Sequence, residues 1–417
     1  MDATTGIFEG VDLAALAARE GTPLYVYSAP AIRGRIRALR AALAGLDAGI
    51  RYAVKANGNL AVLRLLAQEG AGADIVSGGE LERALRAGIA AADIVFSGVG
   101  KTDAEIDAAL AAGIGRFNVE SRAELDAIQR IAAARGCVAV ASVRINPDVD
   151  ALTHAKISTG KAENKFGVPT DEARAWFDGA AQWPNLRLDG LHMHIGSQLL
   201  SLQPVREALQ RMAAFWRELD AVGHVIASID VGGGLGVRYR DGEVAPDAVE
   251  YASAIREALD GFGGRILVEP GRWVVAEAGL LLTRVVLEKQ GRARRFLMLD
   301  AGMNDLLRPS LYEAWHDIVR VGGDAARERV AYDVVGPVCE TGDTFAQQRG
   351  MPRCEAGDLV AILGAGAYGA SMASTYNSRP LAAEVLVDGG RYALVRKRQD
   401  FDAMIADERP ANEWKSA

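Results

Sequence analysis

No stretch of this 417-residue chain is long and apolar enough to span a bilayer, because its most hydrophobic windows are broken by Gly, Arg or Glu. Cysteine is scarce: Cys137, Cys339 and Cys354 are odd in number and widely scattered, which excludes a disulfide framework. Residues Met1 to Gly10 hold neither a basic start nor an apolar run, so no secretory signal is expected there. No basic cluster stands out, and the net charge of −7 disfavours a nucleic-acid backbone as partner. These absences point to a cytoplasmic protein with neither nucleic acid nor membrane among its partners.

Half of the residues are hydrophobic and 24% are charged, an ordinary balance for a globular enzyme. The length exceeds one typical core, so two domains are expected. From about residue 50 to 280, short β-branched runs alternate with helical stretches rich in Ala, Leu, Arg and Glu. Strands are expected near Arg51–Val54, Ala73–Val76, Asp93–Ser97, Arg116–Val119, Val138–Ile145, Leu186–Ile195, Ser228–Val231 and Arg265–Glu269. Ser121-Arg122-Ala123-Glu124 has the capping-box spacing that opens a helix. Eight such units over about 230 residues match an α/β protein built on a (β/α)8 TIM-type barrel. A doubly wound open sheet competes, since alternation does not reveal closure; count and length favour the barrel.

After Leu280 helical patterns nearly vanish. Leu281–Leu287, Arg295–Leu299, Val330–Val335, Asp358–Leu363, Ala382–Val387 and Tyr392–Arg396 read as strands of an antiparallel β-sandwich or barrel. Leu24-Tyr25-Val26-Tyr27 is a further strand, placed to pair with that tail. The expected domains are therefore 30–279 for the barrel and 1–29 plus 280–417 for the β-domain. Asp407–Ala417 reads as a loose polar end.

A barrel of this kind keeps its chemistry at the C-terminal ends of its strands. Lys55 ends the first strand and is followed by Ala56-Asn57-Gly58. Lysine amines condense with aldehydes, above all with pyridoxal phosphate (PLP), once burial or nearby charge depresses their pKa. An exposed, snorkelling lysine is the plainer alternative. His192 and His194 lie two apart at the end of the sixth strand and share a face toward the interior. His194 suits stacking against a ring and His192 structural support. Gly232-Gly233-Gly234 follows the seventh strand, where missing Cβ atoms let backbone N–H groups approach an anion; a flexible turn is the alternative. Glu269-Pro270-Gly271-Arg272 follows the eighth. A carboxylate ending an apolar strand needs a cationic partner, either a pyridinium nitrogen or a nearby arginine such as Arg272. Asp148, Asp150 and His154 resemble loose metal ligands, but no carboxylate or thiol spacing completes a site, so no metal is expected.

Seven segments in this order resemble the PLP-dependent decarboxylases with an alanine-racemase-type barrel, and among them the diaminopimelate decarboxylases. They are Tyr52-Ala53-Val54-Lys55-Ala56-Asn57, Asn164-Lys165-Phe166-Gly167 and His192-Met193-His194-Ile195-Gly196-Ser197-Gln198, then Gly232-Gly233-Gly234, Glu269-Pro270-Gly271-Arg272, Gly336-Pro337-Val338-Cys339-Glu340 and Gly366-Ala367-Tyr368-Gly369-Ala370. Asn164 stands where serine is common, a change expected to be harmless. The resemblance implies pyridoxal 5'-phosphate carried on Lys55, His194 against its ring and Glu269 on its nitrogen. Ser197, the triple glycine, the Glu269–Arg272 turn (Pro270 and Gly271 included) and Tyr368 would hold or approach the phosphate. It further implies a homodimer with shared active sites, in which Cys339 donates the proton that replaces the lost carboxylate; a buried, inert thiol is the alternative for that residue.

The activity so implied is decarboxylation of meso-2,6-diaminopimelate, at its D-configured centre, to L-lysine and carbon dioxide, the last step of lysine biosynthesis. Charge supports that substrate. Its distal end presents a carboxylate, which Arg272, Arg308, Tyr312 and Tyr368 would bind, and an ammonium, which Glu340 would face. Ornithine-type members resemble the barrel but carry Asp after the cysteine. Carboxynorspermidine, arginine and ornithine decarboxylases remain alternatives within the class. Alanine racemase usually pairs the ring nitrogen with arginine, so Glu269 argues against it. A silent PLP carrier would resemble a lone barrel, and a Schiff-base aldolase without PLP would not need Glu269 and the triple glycine together.

Overall fold

The computed structural model describes residues 4–151, 159, 165–323, 327–411 and 414. His154 and Asn164 lie outside the described residues. The chain forms two units: Ser28–Gly279 with Gly366–Ser371, and Met1–Tyr27 with Leu280–Ala365 and Met372–Ala417. The short segment around Tyr368 thus belongs with the first unit, although it follows most of the tail in sequence.

In the first unit, eight parallel strands run in chain order around a closed barrel. They are Ala48–Ala53, Gly72–Ile75, Ile94–Phe96, Arg116–Val119, Ala139–Arg144, Leu186–His192, Ser228–Asp230 and Arg265–Val268. The eighth pairs with the first, Ile266 opposite Ala48 and Val268 opposite Ile50, which excludes the open sheet. Parallel strands covered on both faces read as continuous apolar runs, and Ala73, Ile75, Phe96, Phe117, Val143, Leu191 and Ile229 are indeed buried.

The intervening helices cover the outside with one apolar stripe each; in Arg122–Arg135 it is Leu125, Ile128, Ile131 and Ala132. Ser121 caps that helix by accepting the Glu124 N–H at 3.3 Å. The return half of the expected capping box is missing, because Glu124 turns to the Glu120 N–H and to Lys101 instead. Thr102 and Glu105 form a complete box one helix earlier.

The second unit is a nine-stranded sheet. Leu24–Ser28 lies in it between Gly279–Gln290 and Ala383–Asp388. Most neighbours are antiparallel, but Arg295–Leu299 and Arg329–Val335 pair in parallel, so the sheet is mixed. Two of its strands, Ile318–Arg320 and Thr344–Pro352, were not expected. The core of this unit gathers Leu13, Leu16, Leu24, Val26, Leu280, Leu282, Val385 and Val387. Burying each such side chain contributes roughly 1.5–3 kcal/mol. Among the described residues no helix is long and apolar enough to cross a membrane.

Candidate active site

The first barrel strand ends at Ala53 and tightens into one 3-10 turn, Val54–Ala56, which carries Lys55 at the barrel mouth. Lys55 Nζ lies 2.8 Å from Asp74 Oδ2, a carboxylate of the second strand. The Asp74 side chain is fully buried while that of Lys55 is 39% accessible, so solvent reaches the lysine side chain. Burial alone would lower the amine's pKa. Asp74, then Tyr368 and Glu269, more than offset it and hold Lys55 above its ordinary value. The depressed amine expected from sequence is therefore corrected: acidic neighbours, invisible from the local motif, reverse the sign.

Glu269 stands just beyond the eighth strand, its backbone N–H donating to Gly232 O at 2.7 Å. Its buried carboxylate makes long contacts to Asn118 Nδ2 at 3.3 Å, Ser97 Oγ at 3.5 Å and His192 Nε2 at 3.3 Å. Arg272 does not pair with it. That guanidinium donates to Ser197 Oγ at 3.1 and 3.3 Å and to Tyr239 Oη at 2.8 Å, and lies 4.7 Å from the Tyr368 ring centroid. Tyr368, at φ +55°, is held by its N–H on Ala56 O at 2.8 Å.

Asp230, on the seventh strand, accepts the Gly232 N–H at 2.9 Å. Burial, then repulsion from Glu269, raises its pKa, and burial, then Asp74, raises that of Glu269, so both carboxyls are held above the ordinary carboxylate range. His192 is lowered to about 4 by burial and is neutral. Buried polar atoms without a partner among the described residues crowd this spot: Asp74 Oδ1, Asn118 Oδ1, His192 Nδ1 and Asp230 Oδ2. Each costs roughly 1–3 kcal/mol unless a ligand satisfies it. His192, Asp230 and Glu269 bring ligand atoms within 4.8 Å of one another. That donor set went unseen in the sequence because its members come from three strand ends.

His194 Nδ1 accepts the Gly233 N–H at 3.2 Å, which fixes the other ring nitrogen as the protonated one. Burial, then Arg144 and Lys55, lowers its pKa well below the usual imidazole value, leaving a neutral ring. The triple glycine serves packing as much as an anion. A Cβ on Gly232 would lie 2.3 Å from Met193 O, one on Gly233 2.1 Å from Glu269 O, and one on Gly234 2.5 Å from Gly196 O. Gly232 and Gly233 donate their N–H groups within the chain, so the turn offers an anion at most the Gly234 N–H. Gly271 is similarly constrained, its Cβ position 3.0 Å from that of Ala53, and Pro270 O accepts the Ala53 N–H at 3.1 Å.

The remaining expected residues belong to the sheet unit. Arg308–Tyr312 is one short helix. Arg308 is buried with Nη1 2.7 Å from His316 Nε2, and His316 Nδ1 lies 2.7 Å from Leu363 O. An arginine can only donate, so His316 accepts at Nε2 and carries its proton on Nδ1. Cys339 is exposed, its N–H donating to Asn377 Oδ1 at 2.9 Å, and Glu340 raises the Tyr376 phenol's pKa by hydrogen bonding to it. Sequence reasoning passed over Asp74, Asn118, Glu120, Arg144, Asp230 and Tyr239. For three of these, Glu120, Arg144 and Asp230, a signal was there: a polar residue at or just beyond the last position of a barrel strand.

Residues 30–276 match the model of the pyridoxal-dependent decarboxylase, pyridoxal binding domain. The diaminopimelate decarboxylase of Pseudomonas aeruginosa is 51% identical over 401 residues, 96% of each chain. That of Zymomonas mobilis is 47% identical over 410 residues, 97% of each. Among solved structures, diaminopimelate decarboxylase from Helicobacter pylori complexed with L-lysine has a TM-score of 0.91 at 45% identity, covering 94% of this chain and 98% of that one. The M. jannaschii enzyme in co-complex with L-lysine gives 0.92 at 37% identity, covering 97% and 96%. A barrel whose partly accessible Lys55 pairs with Asp74, and whose buried Glu269 has no lysine or arginine in ion-pair contact among the described residues, thus coincides with near full-length likeness, and the chain belongs to the pyridoxal-dependent decarboxylases, within them to the diaminopimelate decarboxylases.

Proposed function

We propose that this chain decarboxylates meso-2,6-diaminopimelate to L-lysine and carbon dioxide, the last step of lysine biosynthesis, with pyridoxal 5'-phosphate attached to Lys55. One observation carries the reading: among the described residues no lysine or arginine forms an ion pair with buried Glu269, which Lys55 and Arg144 influence only at longer range, while the Lys55 side chain stays partly open to solvent. A protonated heterocycle supplies the missing cation, and the unpartnered atoms around it fit a polar ligand. Bound here, the cofactor supplies an electron sink for the pair left behind when carbon dioxide departs.

The chain's own residues do the rest. Lys55 would hold the cofactor by its aldehyde carbon until the substrate amine takes its place. Glu269 would face the ring nitrogen and favour its protonated form. Neutral His194 would lie against the ring without adding a second positive charge that would oppose it. Ser197, Gly234, Arg272 and Tyr368 take the phosphate end, with Gly232, Gly233, Pro270 and Gly271 shaping the turns. Arg308 and Tyr312, with Arg272, bind the distal carboxylate and Glu340 the distal ammonium. Cys339 gives a proton to the carbon that loses its carboxylate. The sites are shared across a homodimer, and the setting is the cytoplasm.

Neighbours solved with L-lysine support a lysine-shaped product site. Incubation of the PLP-loaded protein with meso-diaminopimelate, followed by detection of lysine and carbon dioxide, tests the reading. Release of both in equal amounts is expected. Turnover of ornithine or arginine but not of diaminopimelate would overturn it.

A further inference from the structure

One buried ion pair in the barrel unit is left unused by the chemistry above. Arg144, at the end of the fifth strand, donates from Nη1 to Glu120 Oε1 at 2.9 Å, with both side chains under 8% accessible. Such a pair loses so much hydration that an apolar pair of similar volume would often serve stability as well. What sets this one apart is where its remaining valences go. Glu120 Oε2 accepts the Gly167 N–H at 2.9 Å. Arg144 Nη2 reaches His194 O at 3.4 Å, and its guanidinium lies 4.8 Å from the Phe166 ring centroid.

The surrounding backbone repeats the link. Val168 N–H donates to Arg144 O at 2.9 Å and Asn146 N–H to Val168 O at 2.8 Å. Thr159 donates from its hydroxyl to the same His194 O at 2.7 Å. Gly167 sits at φ +71°, and an added Cβ would lie 3.0 Å from Asn146 N, so any side chain there would strain the turn. The ends of the fourth, fifth and sixth strands are thereby tied to one short turn.

We propose that the Arg144–Glu120 pair is a positioning device that locks the Phe166–Gly167 turn and the His194 strand end into one platform beside the cofactor ring. The inference rests on the function proposed above. Neither residue touches the reacting atoms; both act through His194. The nearness of the guanidinium to His194 and Glu269, whose pKa values it lowers, agrees with that placement.

The test uses the PLP-loaded protein and reads the induced circular dichroism of the bound chromophore without substrate, then kcat and KM separately. Glu120→Gln and Gly167→Ala should each change the induced signal and cut kcat on the order of tenfold or more, with KM changed less than about threefold. Arg144→Lys should recover part of what Arg144→Met loses. If Arg144→Met fails to fold, Glu120→Gln and Gly167→Ala decide the question. Unaltered dichroism and kcat in those two variants, with only a lower melting temperature, would make the pair purely structural and overturn the proposal. A parent protein that binds no chromophore would sink the cofactor reading and this inference with it; a normal parent with unaffected variants sinks this inference alone.

Discussion

Replacing Asp74 by asparagine isolates the charge that governs Lys55. Asparagine keeps an oxygen where Oδ2 now sits 2.8 Å from Nζ but removes the negative charge. At that separation two unit charges interact by roughly 6 kcal/mol at an effective dielectric of 20 and about 1.5 kcal/mol in bulk water. The lysine side chain is 39% accessible, so solvent screens the pair and a value of about 2–3 kcal/mol is appropriate. That corresponds to a fall of about two units in the amine pKa. Only the neutral amine attacks an aldehyde, so below its pKa the rate of PLP capture by the apoprotein rises about tenfold per pH unit. The Asp74→Asn profile should be displaced about two units toward acid, giving capture about a hundredfold faster at pH 7. Stopped-flow absorbance of the forming chromophore, from pH 6 to 10, measures both profiles. The same pair predicts a stability effect of definite sign. A folded-state pKa above the unfolded one stabilises fully below the unfolded value, about 10.4, and the gain disappears as pH rises through the folded value. Asp74→Asn should therefore melt lower than the parent at neutral pH, with the gap narrowing at high pH. Coincident capture profiles would refute the reasoning.

Glu269→Gln should retain the colour of Lys55-bound cofactor and lose about a hundredfold or more in kcat, since a neutral amide cannot keep the ring nitrogen protonated; unchanged turnover would contradict the role. Glu340→Asp and Arg308→Ala should weaken diaminopimelate turnover far more than PLP binding, measured by steady-state kinetics beside cofactor titration; equal loss of both would count against distal-charge recognition. Mixing inactive Lys55→Ala with inactive Cys339→Ala should restore part of the activity through mixed dimers holding one intact site. Demonstrated subunit exchange without recovery would argue against shared sites.

The barrel was legible because its strands are covered on both faces and so appear as apolar runs, from Ala73–Ile75 to Ile266–Val268. Closure was not legible, because it depends on the register between the first and eighth strands. Thr344–Pro352 escaped notice because its exposed face carries Gln347, Gln348 and Gly350, and Ile318–Arg320 because three residues make no pattern. Lys55, Glu269 and the triple glycine stood out as interruptions at the ends of apolar strands. Asp74, Asn118 and Asp230 are interruptions of the same kind one or two residues earlier, where a polar side chain in a strand is easily taken for a solvated one. The direction of the Lys55 shift lay beyond local reading, since it is set by Asp74, Tyr368 and Glu269 from distant parts of the chain. The triple glycine misled in part: two of its N–H groups serve Asp230 and His194 rather than a ligand.

A covalent bond at position 55 is the requirement on which the proposed chemistry depends. Borohydride reduction of the PLP-incubated protein, followed by digestion and mass spectrometry, should find a single phosphopyridoxyl group on the peptide that contains Lys55, with the yellow absorbance bleached. An unmodified Lys55 peptide, or label spread over exposed lysines such as Lys397, would contradict it.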